Sequence, residues 1–201
     1  FNEHMQSLIA GEEVELPVYH FGNGRAEHGI PTRIGPDTPI IIEGIHALND
    51  KLSYSVPKYQ KYKIYIAPQF QMNLDMHNPI SYTDIRLLRR IVRDKKYRGS
   101  SAERTLEMWH SVRRGEFKWI YPFQEGCNYV YNSALTYELC VLKKYALPAL
   151  KEVPSDSAYY ITANRLIKFL KYFKDMDDKW VPCNSLLREF IGGGCFAEVD
   201  E

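Results

Sequence analysis

An α/β fold, with a parallel sheet flanked by helices and a helical C-terminal extension, is predicted by three features of this 201-residue sequence. Ile40-Ile41-Ile42 ahead of Glu43-Gly44 is a β-branched run suited to a strand buried on both faces. Residues 62–67 form a second apolar run of the same character. Alternating with these are segments of helical periodicity, clearest at 84–97 and 158–173.

In chain order, residues 2–10 read as the end of a helix with Met5, Leu8 and Ile9 on one side and Gly11 as its stop. Pro17 holds 14–19 extended, and the Gly- and Pro-rich stretch 22–39 reads as loop. A short helix is expected within 45–58, between the two buried strands. Helices follow at 84–97 and 101–117, then a short strand at 128–131 and a helix over 133–150 that stops near Pro148. Pro154 and Ser155-Asp156-Ser157 break and cap the chain before the helix at 158–173, whose apolar stripe is Ile161, Leu166, Ile167, Phe169, Leu170 and Phe173. Residues 177–201 form a punctuated tail with one short helix at 186–191. The chain opens on Phe1 inside a helical pattern, so it is expected to begin within something longer. Two domains are expected, a core over 1–132 with a lid around 84–100, and a helical extension over 133–201 packed on it.

Composition narrows the function classes. Hydrophobic residues make up 45% and charged residues 25%, an ordinary globular balance that argues against disorder. A net charge of +1 gives no global attraction to nucleic acid or to an anionic membrane, and neither is expected as a partner. No run approaches the ~18 apolar residues of a membrane span, and no signal peptide is visible. Cys127, Cys140, Cys183 and Cys195 lack zinc-site spacing and read as reduced thiols, which suits a cytoplasmic protein.

The most informative stretch is Ile85-Arg86-Leu87-Leu88-Arg89-Arg90-Ile91-Val92-Arg93-Asp94. At about 100° per residue, Arg86, Arg89, Arg90 and Arg93 share an arc of about 100°, opposite Ile85, Leu87, Leu88, Ile91 and Val92. Four crowded guanidinium groups repel one another, and arginine suits sites where forked donors meet phosphate oxygens. The alternative is a solvated basic face. Arg113-Arg114 and Lys118, beside Trp109 and Trp119, form a second basic cluster that reads either as an anion contact or as a cationic helix end. Glu43 follows a predicted parallel strand, where ligands bind in open sheets, and could hold Mg²⁺ or cap the following turn.

Three motifs then agree in order and spacing. They are Pro17-Val18-Tyr19-His20-Phe21, Ile40-Ile41-Ile42-Glu43-Gly44-Ile45, and the arginine helix with Arg98-Gly99. Together they resemble the uridine kinase and phosphoribulokinase family over roughly residues 1–132. Asp75-Met76-His77-Asn78, Val112-Arg113-Arg114-Gly115-Glu116, Pro122-Phe123-Gln124-Glu125, Asn132-Ser133-Ala134-Leu135 and the stretch 181–193 extend the likeness to a bacterial uridine kinase-like branch.

The resemblance implies an incomplete P-loop kinase-type sheet and ATP-dependent phosphoryl transfer to a nucleoside, with ATP and Mg²⁺ as cofactors. It implies Arg90, Arg93 and Arg98 as catalytic lid arginines and Arg86, Arg89, Arg113 and Arg114 as further phosphate contacts. Glu43 would stand at Mg²⁺, and Tyr19, Phe21 and Arg25 beside the nucleoside. The departures are equally specific. No Gly-x-x-x-x-Gly-Lys-Ser/Thr loop occurs in the 201 residues, and the loop and the catalytic aspartate would sit upstream of Phe1, leaving this chain inactive alone. His20 replaces the family's aspartate, Asn23 or Gly24 its base-contacting histidine, and Ser100 its next arginine. Three readings stay open: nucleoside kinase, a non-catalytic nucleotide- or partner-binding module, or a sugar-phosphate kinase using Arg25, Arg33, Arg113 and Arg114. A homo-oligomer also stays open.

Overall fold

The structure, a computed structural model, describes residues 1–20 and 25–196. Its elements run α1 (Asn2–Ile9), β1 (Val14–Glu15), β2 (Val18–His20), β3 (Arg25–Glu27), β4 (Pro31–Thr32), β5 (Ile64–Ala67), α2 (Tyr82–Tyr97), α3 (Ala102–Trp119), β6 (Tyr129–Asn132), α4 (Glu138–Lys151), α5 (Tyr160–Leu170) and α6 (Arg188–Ile191). The class is mixed α/β. β5 and β6 pair in the same direction, since the Tyr129 amide donates to the Lys63 carbonyl at one end and the Ser133 amide to the Ala67 carbonyl at the other. Among the described residues, no helix is long and apolar enough to cross a membrane.

The chain divides into two compact units, and the division does not follow the expected boundary at 132/133. One unit comprises Phe1–Tyr65 and Gly115–Tyr129; the other comprises Ile66–Arg114 and Val130–Glu198, described as far as residue 196. In the first unit, α1 buries Met5 and Leu8 but turns Ile9 outward. The Asn2 side chain ties α1 to the turns that follow, donating to the Leu52 carbonyl (2.9 Å) and accepting from the Ser55 hydroxyl (2.7 Å). β1 pairs with β4 and β2 with β3, both antiparallel. Part of the expected loop is thus strand, because these short ladders satisfy backbone groups locally.

Three expectations from the sequence are overturned. Residues 40–44 are not a strand, and Ile41 is 90% exposed. A strand exists through its ladder, and no described strand pairs with this stretch. The expected helix within 45–58 is a succession of turns, in which Ala47, Asn49, Leu52 and Val56 each donate to the carbonyl three residues back. β5 is likewise not buried on both faces: Tyr65 and Ala67 are buried while Ile64 and Ile66 are exposed.

The second unit holds the main core. α2 presents Ile85, Leu87, Leu88, Ile91 and Val92 to a cluster with Leu139, Val141, Leu142, Ala146, Leu150, Leu166, Leu170, Leu187 and Ile191. α4 and α6 cover the apolar stripe of α2 directly. α4 starts later than expected, at Glu138, and continues past Pro148 to Lys151, held by buried Ala149 and Leu150.

One ion pair joins these helices. Arg89, 8% exposed, donates from Nε to Glu138 Oε2 (2.6 Å), and from one terminal nitrogen to Glu138 Oε1 (3.0 Å) and the Ser133 carbonyl (2.7 Å). The Phe190 ring lies 5.2 Å from its guanidinium carbon, so Arg89 serves helix packing and not the open basic face predicted for it. Arg89→Ala would strand the Glu138 carboxylate, which is 0% exposed. Urea denaturation is expected to show a loss of about 3–5 kcal/mol, whereas Arg89→Met combined with Glu138→Leu loses far less.

Candidate functional site: arginines gathered on a buried aspartate

With Arg89 turned inward, the open side of α2 carries Arg86, Arg90 and Arg93, all half-buried. The organising group is Asp94, whose side chain is 1% exposed. Arg90 Nε approaches Asp94 Oδ2 at 3.1 Å, an Arg93 terminal nitrogen approaches Oδ1 at 3.3 Å, and an Arg98 terminal nitrogen approaches Oδ1 at 3.4 Å. Thr105 Oγ1, from α3, donates to Oδ2 at 3.4 Å. Gly99, at φ +60°, turns the chain so that the Ser100 amide donates to the Asp94 carbonyl at 3.0 Å. Ser100 thus closes the end of α2 through its backbone.

Two properties suit this cluster to an anion. Three guanidinium groups against one carboxylate leave a formal +2 on these four side chains (+3 − 1), with Arg93 and Arg98 29% and 47% exposed. In addition, Arg90 Nε is buried without an aligned hydrogen-bond acceptor, although Asp94 is within ion-pair distance. A buried N–H without an acceptor is costly, and a ligand oxygen would relieve it.

The remaining predicted site residues are dispersed. On α3, Arg114 is exposed and half-buried Arg113 lies with its guanidinium carbon 5.8 Å from the Tyr82 ring. Tyr19 sits on β2 opposite Ala26, 54% exposed, and Arg25 on β3 opposite His20. Glu43 is exposed and, like Tyr19 and Arg25, belongs to the first unit, whereas the arginine cluster belongs to the second. Phe21 lies outside the described residues. Asp75 accepts the amides of His77 (2.8 Å) and Asn78 (2.9 Å), and these bonds hold its carboxyl below the usual range. His77 itself is exposed.

A pocket of about 160 Å³ in the first unit is lined by Asp50, Lys58, Lys61, Lys63, Gly126 and Asn128. The Lys63 ammonium there is committed to Asp50 (2.5 Å) and the Leu48 carbonyl (3.2 Å), and the Lys61 ammonium to the Ser53 carbonyl (2.9 Å). Among the described residues no group of three or more His, Cys, Asp or Glu could hold a metal ion. Glu43 alone offers one carboxylate, so Mg²⁺ would fit here only with phosphate and water oxygens completing its six ligands. Sequence reasoning missed the roles of Asp94, Thr105 and Glu138; for Asp94, the available signal was its place at the edge of the arginine arc.

The fold and site thus define a mixed α/β protein with three arginines gathered on a buried aspartate. The sequence profile described as Phosphoribulokinase / Uridine kinase family matches residues 1–134, and the chain belongs to that family. Similar curated proteins include the uridine kinases of Bacillus pumilus (strain SAFR-032), 33% identical over 113 residues (56% of this chain, 45% of the relative), and of Tolumonas auensis (strain DSM 9187 / NBRC 110442 / TA 4), 30% identical over 116 residues (57% and 46%). The uridine kinase of Staphylococcus aureus (strain Newman) is 30% identical over 112 residues (56% and 46%). The matched stretch spans less than half the length of these relatives. No solved structure matches the chain.

If Asp94 organises an anion site, Asp94→Asn leaves three cations without a counter-charge. Thermal melts are expected to show a loss of about 1–3 kcal/mol. Sulfate should restore more of that loss than chloride at equal ionic strength. An equal response to both salts would mean simple screening.

Proposed function

We propose that the protein serves ATP-dependent phosphoryl transfer to a nucleoside, of the uridine kinase kind, and that this chain holds the ATP polyphosphate through Arg90, Arg93 and Arg98. The observation that carries this reading is the cluster itself. These three arginines are the ones that match the family's lid motif, they converge on Asp94, and Arg90 keeps a buried Nε–H without an aligned acceptor. Phosphoryl transfer is catalysed mainly by positioning and by cations placed where charge spreads over the transferring group. Asp94 restrains the guanidinium groups before ligand arrives, which lowers the ordering cost of clamping phosphate.

In this reading Arg93 and Arg98, the more exposed pair, meet the outer phosphate oxygens. Arg90, deeper, donates its Nε–H to an oxygen that also displaces it from Asp94. Arg86, Arg113 and Arg114 extend the positive surface, while Arg89 is omitted because Glu138 and Ser133 occupy it. Glu43 is proposed for Mg²⁺, which when bound would supply charge neutralisation. Tyr19, Phe21 and Arg25 are proposed for the nucleoside side, and the cytoplasm as the compartment. The 201 residues contain no Walker A sequence, so the chain by itself is proposed to bind ATP without transferring phosphate.

Calorimetric titration of the 201-residue chain with ATP and Mg²⁺ tests this. Arg90→Gln, Arg93→Gln and Arg98→Gln are each expected to weaken ATP about tenfold, corresponding to ~1.4 kcal/mol, with AMP binding more weakly than ATP to the unmodified chain. Lys174→Gln, a surface change, should leave affinity unaltered. Unchanged ATP affinity in all three arginine variants would remove the reading, as would formation of ADP from ATP and uridine by this chain alone for its stated inactivity.

A further inference from the structure

The tail of the second unit brings two cysteines together. Arg188, on α6, donates to the Pro182 carbonyl (3.4 Å) and the Val181 carbonyl (2.5 Å) on one side of a loop, and to the Gly192 carbonyl (3.1 Å) on the other. One guanidinium therefore fastens both ends of the segment that contains α6. Gly192 and Gly193, at φ +80° and +73°, then turn the chain back through a conformation suited to glycine. The Cys195 amide donates to the Cys183 carbonyl at 3.0 Å, so the two residues lie side by side. One direct N–H···O=C bond of this length keeps the two Cα atoms within about 7 Å of each other, close to the roughly 4.4–6.8 Å range that a disulfide spans. Both thiols are exposed, so an oxidant in solution reaches them. Desolvation and a hydrogen bond to the neighbouring Cys183 thiol push the Cys195 thiol above its ordinary value.

We propose that Cys183 and Cys195 form a dithiol modification site that closes to a disulfide by exchange with a small-molecule disulfide. One protein thiolate attacks the sulfur–sulfur bond of the reagent, forming a mixed disulfide and releasing one small thiolate. The second protein thiolate attacks the protein-side sulfur of that mixed bond, forming Cys183–Cys195 and releasing the other. The two protein thiols are oxidised by two electrons in all, one small disulfide is reduced to two small thiols, and both protons leave with those thiols.

The bond would brace α6 against α2. α6 carries Phe190, which lies over Arg89, and Ile191, whose carbonyl accepts from the Lys96 ammonium of α2. Arg188 and the Cys195 amide already hold the loop closed, so bridging requires little rearrangement. This goes beyond the kinase reading and does not rest on it.

The test is to treat the full 201-residue chain with glutathione disulfide, alkylate the remaining thiols and map the peptides. The expected product is an intramolecular Cys183–Cys195 bond, with Cys127 and Cys140 alkylated, and a melting temperature raised on the order of 5 °C that dithiothreitol reverses. Cys195→Ser should stop at the mixed disulfide on Cys183, with no such rise. Glutathione retained on both cysteines without a bridge would overturn the proposal. So would a bond between other cysteines or between two chains, or a bridged chain that melts no higher than the reduced one.

Discussion

Asp94 is a carboxylate almost wholly removed from water and ringed by three arginines, and the geometry of the open face of α2 depends on it. An unpaired ion at that depth would cost on the order of several kcal/mol, so the arginines are held to it by necessity. The same contacts cannot neutralise the arginines in return, because one carboxylate faces three guanidinium groups. The surplus positive charge is fixed in direction and partly shielded from water. It is therefore stronger toward a multivalent anion than the same charges on flexible surface lysines would be.

Arg89 shows the opposite use of the same residue type on the same helix. Its donors are taken by Glu138 and Ser133, and its guanidinium face by Phe190. That pairing couples α2 to α4 and α6, so the arginine face stands on the core of the second unit and not on a mobile arm. Lys96, reaching the Ile191 carbonyl, adds a further tie near the end of α2. For the phosphate clamp proposed above such support matters, since positioning is the larger part of what a protein supplies to phosphoryl transfer.

How much of this could be read beforehand follows from which interactions are local. α2 was legible because its apolar residues recur at helical spacing, and Ile85, Leu87, Leu88, Ile91 and Val92 are all buried as that spacing requires. Arg90 and Arg93 were legible together through the same periodicity, and Arg98 only through the family motif. The inward turn of Arg89 was not, because its partner Glu138 is 49 residues away and lies on a helix whose register only tertiary packing sets. The Ile40-Ile41-Ile42 stretch failed for a related reason. β-branched residues state a preference for extended backbone, but a strand needs an edge to pair with, and the sequence of the stretch itself cannot supply one. Which helices cover α2 was not legible for the same reason, since nothing local marks that its partners lie beyond residue 132.

The most direct measurement is the arginine side-chain Nε–Hε spectrum of the labelled chain during titration with ATP and Mg²⁺. The account predicts saturable shifts at Arg90, Arg93 and Arg98, largest at Arg90, whose buried N–H gains an acceptor, with Arg89 unmoved in its pair with Glu138. Shifts spread evenly over all exposed arginines and lysines, or a displaced Arg89 beside a silent Arg90, would contradict it.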